Sequence, residues 1–539
     1  MLSTVSGGSI LGAYYYLEVQ HLLETKSDSD ITREDYIEIV KRVQQNFLEG
    51  VQSNIRMRAF GDFKKNLRVM LGWNYTRGHY LGELYEEALY SRINDGRGGT
   101  ERAMQQLLIN PKGEPQEFKP KFANWRRRAK APVLLLSATS LNSGHIWQFT
   151  ASWMGEPPGL LEEFNVNERY RRLYYQEAPA HLQDYRLGHA VAASACVPGL
   201  FEPLTINGLY EDRTVRLVDG GMHDNQGVSG LLDEGCTMIL CSDASGQIAD
   251  LAKPGEDPAG VAFRSSSILQ ARVREAECQN LRARLDSRSL EGLLFLHTKK
   301  GLGINLLPWI GCHEEKYPPL DEDKPTPYGV NARLQRLIAS IRTDLDSFTE
   351  VEAYALMASG YLMAKHELQQ LQRLRDQEGE VGSWGGYQIN APSVVWPFAE
   401  IIPLLGERPE NSTRGKDLEQ QLKAASSVIL KAWKLIPDLR RNATITVAGM
   451  VVLLLTVTWL LWGVTIFSLT LGGLVLVLVG LAIVQFAPAL RWLSLRGEAR
   501  SLVLKTAMAL AGYALAKVYL KWINRHFLEH GRLSRLLYL

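Results

Sequence analysis

Hydrophobic positions along the chain fall into short continuous runs separated by longer stretches of helical period. Residues 131–137 (APVLLLS), 215–218, 237–242 (TMILCS) and 292–297 (GLLFLH) have the length and apolar continuity of buried strands. Residues 33–54 and 260–284 read as long helices, and ILGAYYY at 10–16 as the start of another. Strand-like and helix-like segments alternating between Pro and Gly predict an α/β fold, with a mostly parallel sheet flanked by helices. From 331 to 372 the apolar residues Leu334, Leu337, Ile338, Ile341, Leu345 and Phe348 recur at helical spacing, which predicts packing helices after the sheet.

The pattern changes near the C-terminus. No charged residue occurs in the 48 positions from Ala443 to Leu490, enough for about 72 Å of helix at 1.5 Å per residue. A bilayer core of roughly 30 Å takes about 20 residues, so the segment predicts a transmembrane helical hairpin with its turn near Ser468–Gly473. Lys431, Lys434, Arg440 and Arg441 precede it, and Arg491, Arg496 and Arg500 follow it. Basic flanks on both sides predict a two-span, multi-pass membrane protein whose α/β domain lies on the cytoplasmic side. Residues 501–522 then read as an interfacial helix, or as a helix packed through Ala507, Ala511, Gly512 and Ala516. The expected organisation is an α/β domain at 1–310, a helical extension at 311–375, a linker and juxtamembrane segment at 376–442, the hairpin at 443–490 and a basic helical tail at 491–539.

Composition narrows the functional classes. At 46% hydrophobic residues over 539 positions, the chain folds, and into more than one unit. Sixty Lys and Arg against 58 Asp and Glu leave +2, so no global charge excess points to nucleic acid. The tail from Arg491 is the exception, with nine basic residues and two Glu. Basic clusters at 125–128 (WRRR) and 169–172 (RYRR) read as phospholipid headgroup contacts or as solvated faces. Five cysteines without a CxxC pair suggest neither a disulfide framework nor a zinc ribbon. There is no Walker loop, no G-x-G-x-x-G after a strand and no HExxH, so no cofactor or metal is indicated.

The chemistry concentrates at two places. In STVSGGS at 3–9, Ser6 is flanked by small residues ahead of a helix, the arrangement of a nucleophile elbow. There the Gly7 and Gly8 backbone can approach a developing oxyanion. Far downstream the strand-like run 215–218 ends at Asp219-Gly220-Gly221, with Asn225 close behind. An Asp at a strand end followed by two Gly can bring its carboxylate out over the sheet edge. His189 and His223 lie near these motifs and read as ordinary surface or supporting residues.

These two motifs, with the run AASACVPGLFEP at 192–203 between them, resemble in order and spacing the patatin-like phospholipases; ATSLNSG at 138–144 and SDASG at 242–246 resemble that family too. The resemblance covers about residues 1–300 and excludes the apolar hairpin. It implies a serine acyl hydrolase of phospholipid or related acyl lipids at a membrane. In it Ser6 is the nucleophile and Asp219 the general base, Gly7 and Gly8 serve the oxyanion, and Gly220, Gly221 and Asn225 support the Asp turn. The family also carries a Gly-rich oxyanion loop some tens of residues before the nucleophile. Only five residues precede Ser6 here, so the resemblance implies a domain that is N-terminally incomplete, without its first strand and oxyanion loop. A silent patatin-like module that binds lipid or a partner protein is the alternative function.

Overall fold

The computed structural model describes residues 1–72, 75–97, 101–158, 168–245, 248–312, 321–378, 394–427, 431–435 and 497–538. Its main sheet has seven strands: β1 Leu2–Val5, β2 Leu134–Ser140, β3 Ile146–Phe149, β4 Trp153–Gly155, β5 Leu173–Tyr174, β6 Leu204–Ile206 and β7 Val215–Asp219. The spatial order is β5-β4-β3-β2-β7-β6, with β1 also paired to β2.

β2 organises the sheet. One of its edges pairs with β3 through Leu136–Thr139. The other is shared end to end: β1 runs parallel to it along Leu134–Ser137, and β7 runs antiparallel along Ala138–Ser140. Val5 therefore sits opposite Ser137 while Asp219 sits opposite Ala138, so the C-terminal ends of β1 and β7 meet head to head.

The fold is mixed α/β, but the expected mostly parallel sheet is corrected. Only β1 with β2 is parallel in the main sheet, and every other pairing there is antiparallel. Every residue of β2 is buried, and burial of a central strand on both faces leaves the direction of its neighbours unspecified. Direction comes instead from the links: the short connections from β2 to β3 and from β3 to β4 permit only antiparallel return. A second, parallel pair, β8 Met238–Asp243 and β9 Gly292–His297, is joined by the long helix Pro258–Asp286 as a βαβ crossover.

The helix α1, Gly7–Thr25, leaves β1 and packs with helices Arg77–Ala88 and Leu187–Ser194 against β2 and β3 in the largest core. A second core gathers helices Ala332–Ala339, Glu350–Glu378 and Thr413–Ala425 with Leu533 and Leu536. Part of the segment expected as a linker is thus helical and packed. The C-terminal helix Gly497–Val518 rests on the body at Phe60 and Gly61 through Gly512 and Ala516, the small-residue packing expected of it, although its partner is the α/β body.

No helix among the described residues is long and apolar enough to cross a membrane. The long helices Pro258–Asp286 and Glu350–Glu378 are interrupted by charged side chains. The hairpin expected at 443–490 lies outside the described residues. The expected multi-pass localisation is therefore corrected: no span among the described residues supports it.

Candidate active site

Ser6 occupies the turn between β1 and α1 with φ 53° and ψ −131°. A non-glycine residue held there costs on the order of 1–3 kcal/mol and persists only where its surroundings over-determine it. They do so here. The Ser6 N–H donates to Ser194 Oγ at 3.1 Å, and the Ser194 hydroxyl donates to the Ser137 carbonyl at 2.6 Å. Ser9 Oγ lies 2.7 Å from Ser194 Oγ and 3.1 Å from Thr4 Oγ1. This buried hydroxyl cluster ties the elbow to β2 and to the helix Leu187–Ser194.

The turn aims the Ser6 hydroxyl at Asp219, with Oγ donating to Oδ2 at 2.6 Å. The other carboxylate oxygen accepts from the Gly221 N–H at 2.8 Å, and the Asp219 N–H donates to the Cys196 carbonyl at 2.9 Å. Both ends of the side chain are fixed, and no cation among the described residues bonds it. With only 6% of its surface exposed, burial raises the Asp219 pKa to about 6, against the lowering effect of its bonds from Ser6 and Gly221. Above that pH the group is a carboxylate more basic than one in water, bonded to the proton it would take.

The two glycines after Asp219 are required by close approach. A Cβ at Gly220 would lie 2.2 Å from the Ser137 carbonyl oxygen, and one at Gly221 would lie 2.5 Å from Asn225 Oδ1. Asn225 therefore packs directly on the Asp turn, as the motif suggested, while Asp224 braces the following loop by accepting from the Gly227 and Ser229 N–H groups at 2.8 Å each.

Gly7 and Gly8 open the N-terminal turn of α1 and are exposed. A methyl group added to either would meet nothing within 4 Å, so there is room beside Ser6 for a substrate carbonyl. The backbone dipoles at this helix end favour negative charge.

All seven residues singled out in the sequence thus gather at the β1–β7 junction. His189 and His223 do not join them. His189 is half-buried between the rings of His79 and Tyr185, and neither histidine hydrogen-bonds Ser6 or Asp219 among the described residues. The residues that the sequence reading passed over are Ser194, Ser9 and Thr4. Ser194 did carry a signal, as the one polar side chain in AASAC at 192–196.

A comparison with curated proteins finds no match. The match to the patatin-like phospholipase family lends no support to an N-terminally incomplete domain, and the strand feeding the elbow is present as β1. Residues 1–232, which contain the elbow and the Asp219 turn in full, match the family model of the patatin-like phospholipases.

Proposed function

We propose that the protein is a serine lipid acyl hydrolase in which Ser6 and Asp219 form a catalytic dyad. The patatin-like domain supports lipid acyl hydrolysis in general; the dyad and its mechanism are the finer reading. The observation that carries it is the 2.6 Å bond from Ser6 Oγ to a buried carboxylate that no cation among the described residues pairs.

On this reading Ser6 Oγ attacks the ester carbonyl as its proton passes to Asp219 Oδ2. The tetrahedral oxyanion forms over the start of α1, where the Gly7 and Gly8 backbone faces open space. The protonated Asp219 then gives its proton to the leaving alcohol. Water enters, Asp219 takes one of its protons, and hydroxide attack on the acyl-Ser6 ester releases the fatty acid and restores Ser6. No histidine is needed, because burial has already raised the base strength of the carboxylate.

The catalytic unit on this reading extends past the matched region to about residue 310. Gln270, on the helix Pro258–Asp286, donates to the sulfur of Met222 at 2.8 Å, and Gln226 donates to Asp243 at 3.3 Å. The β8–β9 unit is thereby attached to the Asp219 turn.

The test is fatty-acid release from a phospholipid and from a soluble short-chain ester by the purified full chain, beside the Ser6→Ala variant. Release that disappears in the variant supports the reading. Undiminished release in Ser6→Ala, or none from either ester by the unaltered chain, refutes it and favours a silent lipid-binding or partner-binding module.

A further inference from the structure

The helix Pro258–Asp286 divides into two unlike halves. Its C-terminal half is anchored: Leu281 is fully buried with Val228, Ile239, Cys241 and Leu290 in a small core, and Arg274 pairs with Asp243. Its N-terminal half projects into solvent yet carries large apolar side chains. Phe263 is 67% exposed, Ile268 52% and Leu269 67%.

A second stretch behaves the same way. After β9 the chain runs through GLGINLLPWIGC at 301–312, where Leu307, Trp309 and Ile310 are 73%, 71% and 104% exposed. The two stretches belong to one end of the molecule. β8 and β9 are parallel and in register to their last residues, Asp243 opposite His297. The link to the exposed half-helix therefore leaves the same end as the 301–312 loop. That end borders the candidate site, because a Cβ on Gly199 would lie 3.5 Å from the Phe263 ring and Gln270 bonds Met222 beside the Asp219 turn.

Charge selects the occupant. Residues 258–273 and 301–312 contain no Asp or Glu, while Arg264 and Arg272 lie within the exposed half-helix. Contiguous exposed apolar surface marks an interaction site. Where that surface is aromatic, free of acids and basic, it matches an anionic lipid surface, in which Trp sits at headgroup level and the apolar side chains reach the acyl boundary.

The geometry points to a lipid-docking face built from the half-helix 258–273 and the loop 301–312, which presents the mouth of the Ser6–Asp219 site to a lipid surface. It rests on the acyl hydrolase reading for its purpose. The contact itself is a separate physical claim and is tested separately.

The first measurement is amide hydrogen exchange of the full chain, with and without vesicles of mixed phosphatidylcholine and phosphatidylglycerol. Exchange at 258–273 and 301–312 should slow about tenfold or more when vesicles are added. No change at either stretch overturns the proposal. Slow exchange at 301–312 before vesicles are added also overturns it, since a second copy or another part of the chain would then cover the face.

The second measurement uses Trp309→Glu and Ile310→Glu, each at a side chain with little packing to lose. Hydrolysis of vesicle-embedded phospholipid should fall about tenfold while hydrolysis of a soluble short-chain ester stays unchanged. Equal rates on vesicles before and after substitution overturn the docking face. If the unaltered chain hydrolyses neither ester, the enzymatic reading fails, and the exchange experiment still decides the surface.

Discussion

Two buried carboxylate sites in this molecule follow opposite electrostatic designs. In the second core, Asp346 and Glu352 are met by Lys431 at 2.6 Å, Arg342 at 2.7 Å and Arg56 at 3.1 Å, so negative charge is matched by positive charge. Asp243 follows the same rule. Burial would raise its pKa, but the Ser245 hydroxyl and Arg274 outweigh that and hold it low. Asp219, equally buried, has one hydroxyl and one N–H and, among the described residues, no cation, and its pKa rises to about 6. At Asp243 the hydroxyl and the cation hold proton affinity low; at Asp219, with no cation bonded among the described residues, it stays high enough for proton transfer near neutral pH.

The contrast breaks most visibly if the hydroxyl facing Asp219 is removed. Ser6→Ala should lower kcat for ester hydrolysis about 10⁴-fold or more, and should cost roughly 1–3 kcal/mol of stability as the buried Asp219 loses its hydroxyl donor. Ser6→Gly should be equally inactive but more stable by roughly 1 kcal/mol, because glycine tolerates φ 53° without strain. Calorimetry on the two variants separates the chemical role from the conformational one.

Asp219→Asn sharpens the comparison next. It should cost about 10³-fold in kcat, yet raise stability at pH 8. The sign follows from linkage: the folded pKa lies above the ordinary 3.8, so the ionised form is disfavoured by folding. That cost is fully present above about pH 6 and is relieved as pH falls through 6 towards 3.8. A shift of this size corresponds to roughly 3 kcal/mol. A melting curve at pH 8 that drops in Asp219→Asn would falsify the unpaired-carboxylate account. In the unaltered enzyme, kcat should climb through a single acidic limb centred near pH 6 as Asp219 ionises.

In the second core the expectation inverts. Lys431→Met leaves Asp346 short of a buried cation and should cost about 3–5 kcal/mol of stability, while kcat at a temperature where the protein stays folded is unchanged. Burial lowers the Lys431 pKa to about 8. Folding therefore disfavours the ionised lysine: that cost is fully present below about pH 8 and is relieved, as the lysine loses its proton, between there and the ordinary lysine value. The smallest effect is expected from Ser194→Ala. It removes the acceptor for the Ser6 N–H and should cost roughly 1–3 kcal/mol, with about a tenfold fall in kcat as the elbow loosens.

The site was more legible in the sequence than the sheet that holds it. Ser6, Asp219 and their glycines announce themselves because strained turns and close approaches tolerate few residue types, so the turns of the candidate site are written locally. Sheet direction is not written that way. The apolar run of β2 records burial on both faces and nothing about its neighbours, and β3 to β6 are too short, at two to four residues each, to leave a period of their own. Ser194 is hidden for a different reason: its partners Ser6 and Ser137 are 188 and 57 positions away. The buried ion cluster was equally invisible, since Arg56, Arg342, Asp346 and Lys431 look like solvated surface charge until tertiary packing encloses them.

The most direct test of the central claim is the rate at which a fluorophosphonate probe labels the full chain at pH 8, with the modified residue located by peptide mass. The account predicts one adduct, on Ser6, formed at least about a hundredfold more slowly in folded Asp219→Asn. Labelling of Ser6 at an undiminished rate in that variant, or labelling of a different serine, would contradict it.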